Sequence, residues 1–100
     1  MSTIILDFGS GETCDSKDTI KKMLDQIEEH DSGSHYINIK FQLFNDIPGL
    51  KPLSHKLFEY AFNQCIKHHY LCSASVFDKE SLEYLLEFPV NYIKIACRMV

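Results

Sequence analysis

Residues 36–42 read Tyr-Ile-Asn-Ile-Lys-Phe-Gln, and this stretch decides the predicted fold. Its apolar side chains at positions 37, 39 and 41 alternate with Asn38, Lys40 and Gln42, which is the pattern of a β-strand with one polar face. The segments on both sides have helical spacing instead. Their apolar residues recur at intervals of three, four and seven, namely Ile20, Met23, Leu24 and Ile27 before the strand and Phe58, Ala61, Phe62 and Cys65 after it.

Signals for helix ends support these assignments. Asp15 or Ser16 is expected to cap the first helix, and Ser54 the second, because their side chains accept hydrogen bonds from free backbone N–H groups. Asp78 is expected to cap a third, shorter helix whose Leu82, Leu85 and Leu86 face inward. Pro89 cannot continue that helix, so it ends before this residue.

Three further apolar runs complete the pattern. Residues 3–8 (TIILDF), 70–76 (YLCSASV) and 91–97 (NYIKIAC) are predicted strands, which gives the order β-α-β-α-β-α-β. Helix-length crossovers between strands predict a parallel α/β sheet with right-handed connections. Two architectures use this repeat, the (β/α)₈ TIM barrel and the doubly wound open sheet.

Composition excludes several classes of function. The 100 residues carry a formal net charge of −4, so a general nucleic-acid or anionic-membrane binder is not expected. No apolar run approaches the ~20 residues of a membrane span. No signal peptide is visible, because Asp7 interrupts the apolar run of residues 3–6 and no basic segment precedes it, so we expect a cytoplasmic protein. The cysteines, which are Cys14, Cys65, Cys72 and Cys97, are then expected to be reduced thiols.

Lysines stand near the ends of two predicted parallel strands, where ligands bind in both architectures. Lys40 and Lys94 suggest a clamp for a phosphate or carboxylate, with a Schiff-base lysine as a related option. The structural alternative is a pair of edge lysines that protect the sheet from aggregation. Ser73 and Ser75 can supply hydroxyl donors to the same anion, beside the capping residue Asp78.

Other candidate sites are weaker. Residues 9–14 (GSGETC) contain the first two glycines of a dinucleotide-binding loop but not the third, so a flexible turn is expected there. The five histidines show no metal-ligand spacing on one helix face, so no metal site is predicted from this chain's own pattern. Asp7 and Glu12 lie near the end of the first strand, where either could act as an acid, a base or a solvated carboxylate.

The strand ends resemble those of the sialic acid synthase family (N-acetylneuraminate synthase, NeuB-like). Ile39-Lys40-Phe41-Gln42 resembles the KFQ strand end of that family, and residues 75–81 (SVFDKES) resemble its T-P-F-D-x-E-S segment. Residues 92–97 (YIKIAC) are similar to its Y-K-I-A-S strand, and residues 6–9 (LDFG) stand where it has A-E-I-G. The motifs occur in the family's order and cover most of the chain.

The resemblance implies a TIM-barrel transferase of carbohydrate biosynthesis. Such an enzyme condenses phosphoenolpyruvate with N-acetylmannosamine or a related amino sugar, and a divalent metal (Mn or Mg) polarises the sugar aldehyde. Carried over to this sequence, Lys40, Lys94 and Asp7 are the predicted catalytic residues, with both lysines holding phosphoenolpyruvate. The predicted substrate-binding residues are Gln42, Ser73, Ser75 and Cys97, where Ser75 replaces a threonine of the family and Cys97 a serine.

The sequence also departs from the family pattern. The family's N-H-N-G after the first strand is replaced by residues 11–14 (GETC), and its S-G-E after the fourth strand by residues 97–99 (CRM). Because a barrel needs ~250 residues, residues 1–100 are expected to form a partial domain with strands one to four. The metal ligands are expected to lie outside this chain, so we do not expect full synthase activity from the chain alone.

Two predictions about assembly and function follow from this partial barrel. A homodimer or a partner chain is expected to complete it, because a half-barrel has two open edges. The alternative functions are a non-catalytic interaction module and a small flavodoxin-like anion-binding domain.

Overall fold

The computed structural model describes residues 2–96, and in this range four strands alternate with three helices. The elements are β1 (Ser2–Gly9), α1 (Lys17–His30), β2 (His35–Leu43), α2 (His55–Lys67), β3 (Leu71–Val76), α3 (Lys79–Leu85) and β4 (Lys94–Ile95). Every neighbouring pair of strands is parallel, and the strand order is β1-β2-β3-β4. The sheet curls, which confirms the predicted half of a (β/α)₈ barrel.

The strand order also decides between the two predicted architectures. In a flavodoxin-like open sheet the first strand lies in the interior of the sheet, whereas here β1 lies at one edge. The chain therefore does not have the flavodoxin-like strand order, while the anion-binding function of that alternative stays a prediction. None of the helices in the described range is long and apolar enough to span a membrane.

The helix caps follow the sequence signals. The Ser16 side chain accepts a hydrogen bond from the Thr19 N–H at 3.1 Å, and the Ser54 side chain accepts one from the Leu57 N–H at 3.2 Å. Asp78 accepts from the Ser81 N–H at 2.8 Å and so caps α3. Each cap satisfies a backbone donor that the first turn of a helix leaves unpaired.

Alternation along the strands separates a convex apolar face from a concave polar face. On the convex face, Ile39 pairs with Cys72, Phe41 with Ala74 and Leu43 with Val76, and all of them are buried. The helices pack against this face through buried side chains that include Ile20, Leu24, Phe58, Ala61, Phe62, Cys65 and Leu85. The concave face carries the other residues of the same strands, among them Asn38, Lys40, Ser73 and Ser75.

The fourth strand is shorter than predicted. The sequence predicted a strand over residues 91–97, but β4 comprises Lys94 and Ile95, which pair with Ser75 and Val76. Side chains bind the segment before β4, because Asn38 donates to the Asn91 side chain and Ser73 to the Tyr92 carbonyl. A carbonyl that a side chain already satisfies needs no ladder partner.

Candidate functional site

Two rows of residues meet on the concave face at the carboxyl ends of the strands. Asp7, Lys40 and Ser73 form one row across β1, β2 and β3. Gln42, Ser75 and Lys94 form the next row across β2, β3 and β4. A cavity of about 310 Å³ lies over both rows, and it is lined by Asp7, Lys40, Gln42, Ser75, Phe77, Lys94, Ile95 and Ala96. We call it the strand-end cavity.

Lys40 is the buried cation of this cavity. Lys40 is only 7% exposed, and its Nζ donates to Asp7 Oδ2 and to Ser75 Oγ, both at 2.9 Å. A lysine ammonium has three donors, so one remains for a ligand. Because Ser75 Oγ accepts from Lys40, the hydroxyl proton of Ser75 is also free to point at a bound anion.

Asp7 holds the ammonium of Lys40 in place and is itself held as a carboxylate. Burial alone would raise the pKa of Asp7, but hydrogen bonds from Lys40 and from the Gly9 N–H outweigh it, so the pKa lies below its usual value. Gln42 Nε2 approaches the same Asp7 oxygen at 3.4 Å. Asp7 therefore stays charged near neutral pH, and it is a poor general acid there.

Lys94 is the second cation of the cavity. It is exposed, and it makes no ion pair or side-chain hydrogen bond among residues 2–96. With two ammonium groups and one carboxylate, the lining of the cavity has a net charge of +1 in a chain whose net charge is −4. The cavity therefore favours an anionic ligand.

Residues 91 and 92 cover the concave face below the cavity. Asn38 is fully buried and donates from Nδ2 to Asn91 Oδ1 at 3.0 Å, while its own Oδ1 has no partner among the described residues. The buried hydroxyl of Tyr92 also lacks a partner in that range. Burial raises the pKa of Tyr92, and the charge of Asp7 contributes. The uncharged polar side chains of Asn38 and Tyr92 therefore lie below the Lys40–Asp7 ion pair on the concave face.

The structure brings together most of the residues predicted for the site. Lys40, Lys94, Asp7, Gln42 and Ser75 line one cavity. Ser73 is fully buried and donates its hydroxyl to the Tyr92 carbonyl, so it positions the chain before β4 and does not line the cavity. Cys97 lies outside the described residues.

Sequence reasoning missed two residues of this region, Asn38 and Tyr92, as buried polar neighbours of the lysine. The signal for Asn38 was present, because it precedes Lys40 by two positions and so lies on the same strand face. Tyr92 gave no such signal, since its place depends on a segment that leaves the strand pattern.

The strand-end residues do not fit a divalent metal. Asp7 offers the one carboxylate of the lining, its Oδ2 already accepts from Lys40, and two lysines would repel a cation. A potential ligand group of Asp25, Glu28 and His68 lies near the ends of α1 and α2, at the opposite end of the strands. There Glu28 pairs with His68 at 3.2 Å and Asp25 with Lys21 at 3.1 Å.

A larger cavity of about 520 Å³ lies on the convex side, between α1 and β1. Its lining is mostly apolar and includes Ile4, Leu6, Met23 and Ile27. This groove lacks the paired lysines of the strand-end cavity, so it is not the anion site.

No family model matches the sequence, and no match to it was found among the curated proteins or the solved structures. The resemblance to the sialic acid synthases therefore stays a prediction from the quoted motifs.

Proposed function

We propose that the strand-end cavity binds a small carboxylate or phosphate anion of the phosphoenolpyruvate class. The observation that carries this proposal is the convergence of Lys40 and Lys94 on one cavity at the carboxyl ends of parallel strands. A lysine that is 7% exposed in a sheet is uncommon, because desolvation of an ammonium costs free energy unless a partner compensates it. Ligands of parallel α/β folds bind at this end of the sheet.

The partners of the lysines support separate roles for them. Lys40 is fixed by Asp7 and Ser75, so its remaining N–H donor has a defined direction. Lys94 has no such partner among the described residues and supplies the uncompensated charge. We infer that Lys94 contributes most of the electrostatic attraction, while Lys40 and Ser75 orient the ligand.

The proposal is limited to binding. The condensation of phosphoenolpyruvate with an amino sugar, which the resemblance implies, uses a divalent metal, and the strand-end residues do not fit one. For this chain we therefore propose anion recognition without the carbon–carbon bond-forming step.

Thermal unfolding with added phosphoenolpyruvate tests the proposal. A ligand at ten times its Kd should raise the Tm by roughly 5 °C or more for a domain of this size. Lys94→Gln is expected to remove this shift and to leave the Tm of the free protein unchanged, because Lys94 is exposed. Inorganic phosphate and pyruvate, each carrying one of the two anionic groups, should give smaller shifts.

Lys56→Gln is the matched control, since Lys56 is exposed on α2 and that helix packs on the convex face. This variant should keep both the Tm and the full phosphoenolpyruvate shift. An unchanged Tm of the wild-type chain with phosphoenolpyruvate would contradict the proposal and favour the interaction module. An equal shift in Lys94→Gln would contradict the site.

We also infer a cytoplasmic location. Cys14, Cys65 and Cys72 are all free thiols, although Cys65 and Cys72 lie close to each other. Free thiols that could pair are typical of a reducing compartment.

A further inference from the structure

Within residues 2–96, residues 91 and 92 cover the middle of the concave face, and the helices pack on the other face of the sheet. Below the strand-end cavity the concave face exposes three large side chains, with Ile5 54% exposed, Tyr36 55% and Leu71 43%. These residues lie on the concave face. Ile5 and Leu71 both pair with Asn38, and Tyr36 precedes Asn38 by two positions on the same strand. In a closed barrel such side chains form the packed interior.

Within residues 2–96 the sheet has two open edges, and they differ in length. β1 has eight residues and contains neither proline nor lysine, although a long apolar edge strand is normally protected by one of these residues. Ile4 and Ile5 are both exposed along this edge. β4 has two residues, and one of them is Lys94. β1 is therefore the longer of the two edges that can pair.

The two edges also carry opposite charges at adjacent levels of the concave face. Asp7 lies on β1, and its side chain is 44% exposed although it pairs with Lys40. Lys94 lies on β4 one row further along. Both charges therefore lie at the carboxyl end of the seam that a β4 edge and a β1 edge would form.

We propose that two copies of this chain close an eight-stranded barrel. In this dimer β4 of one copy lies beside β1 of the other, so two equal contacts are related by a two-fold axis along the barrel. Four parallel strands in sequential order, with all helices on the convex face, are half of the eight that close a (β/α)₈ barrel. The exposed concave side chains of both copies then form one interior.

Closure leaves the anion proposal intact and does not rest on it. Each copy contributes two ammonium groups and one carboxylate, so the mouth of the barrel carries a net positive charge. The assembly experiment is done without phosphoenolpyruvate, so its result is separate from the binding result.

Sedimentation equilibrium over a concentration series measures the assembly of the 100-residue chain. We expect twice the chain mass at high concentration and reversible dissociation on dilution. Ile5→Lys and Ile95→Lys each place a charge on one of the two open edges, where the native residue is 54% exposed. Each is expected to weaken the dimer at least roughly tenfold, because a buried apolar contact is replaced by a charge.

Ile66→Lys is the matched control, because Ile66 is 51% exposed on α2, away from both edges. It should leave the dissociation constant unchanged. A monomer at every concentration overturns the proposal, as does a dimer that only Ile66→Lys weakens. A dimer that is sensitive to Ile5→Lys but not to Ile95→Lys is joined through β1 alone, and this result also overturns closure. Far-ultraviolet circular dichroism verifies that each variant is folded.

Discussion

The residue that most shapes the concave face is Lys40. Its ammonium lies beside Asp7 and Ser75 on a surface that the polar residues Asn38 and Ser73 share. The pair with Asp7 compensates the desolvation of the lysine, while the open side of the carboxylate remains in contact with solvent. We therefore expect an interaction energy between those of buried and exposed ion pairs.

A double-mutant cycle measures this pair. With Lys40→Met and Asp7→Asn, we expect a coupling free energy of about 1–2 kcal/mol, because one partner is buried and the other is screened by water. The exposed Lys21–Asp25 pair, 3.1 Å apart on α1, is the control and should give a smaller coupling, because water screens both side chains. Urea unfolding of the single and double variants supplies the values. Equal coupling free energies in the two pairs would contradict the claim that burial of Lys40 strengthens its interaction with Asp7.

His69 has a left-handed backbone conformation at the end of α2. Its φ of 63° lies in the left-handed region, just after α2, where the Tyr70 N–H bonds the Cys65 carbonyl and the His69 N–H bonds the Ile66 carbonyl. This is the Schellman ending of a helix, and glycine is the residue that usually takes the left-handed position.

His69→Gly is expected to stabilise the protein by about 0.5–1 kcal/mol, since it removes the steric cost of a Cβ in that region. The same change at the neighbouring His68, whose φ is −85°, should destabilise the protein. Thermal unfolding of both variants checks this pair of opposite signs. A lower Tm for His69→Gly would show that its side chain matters more than its backbone.

The residue types at the site could be predicted from sequence because alternation fixes the face of a side chain. That rule placed Lys40 and Gln42 on one face of β2. It could not supply the pairing of Lys40 with Asp7, because contact between strands depends on register, which no pattern within one strand reveals. Ser73 shows the same limit, since its partner is the Tyr92 carbonyl of a segment with a strand-like sequence.

At the scale of elements, α3 depends on one carboxylate. Asp78 accepts from the Ser81 N–H and, with its other oxygen, from the Asn45 N–H at 2.7 Å. Burial would raise the pKa of Asp78, but these hydrogen bonds outweigh it and lower the pKa. The cap therefore joins the start of α3 to the loop after β2, and its strength depends on pH.

The sign of that dependence follows from the lowered pKa. The stabilisation is fully present above the unfolded pKa of about 4, and it is lost as the pH falls through the lower folded value. Asp78→Asn should lower the urea midpoint at pH 7, and the difference from the wild type should be smaller at pH 3. Asp46→Asn is the control, because Asp46 is exposed in the same loop. Its urea midpoint should match that of the wild type at both pH values. A wild-type midpoint equally far above the variant at both pH values would contradict this account.

Predictions at the element level succeeded where local chemistry decides the structure. Ser16, Ser54 and Asp78 were recognisable caps because each precedes an apolar helical stripe. The length of β4 was not recognisable in this way. The Tyr-Ile-Lys-Ile sequence favours a strand, but a strand needs a partner along its whole length, and here side chains of β2 and β3 bind the backbone and side chain of residues 91 and 92.

At the scale of the whole molecule, the core isolates three thiols from solvent. Cys14, Cys65 and Cys72 are all buried. Burial raises the pKa of Cys14 to about 12, and a hydrogen bond with Cys65, together with burial, raises the pKa of Cys72. Since the thiolate is the reactive form, these residues should be inert in the folded protein.

Alkylation followed by peptide mass spectrometry tests this protection. We expect slow labelling of Cys14, Cys65 and Cys72 in the native protein and rapid labelling of the same residues in concentrated urea. Their labelling rate then reports on the opening of the convex core. Rapid native modification of any of them would contradict the packing of α1 and α2 on the sheet.

The sequential strand order has a consequence for how the chain acquires its structure. Each strand pairs with the strand that follows it in sequence, so every added βα unit finds its partner already formed on its N-terminal side. Such nearest-neighbour pairing keeps loop-closure costs low and favours rapid folding. A nascent chain leaving the ribosome could therefore assemble from β1 onward, one unit at a time, without waiting for its C-terminal end.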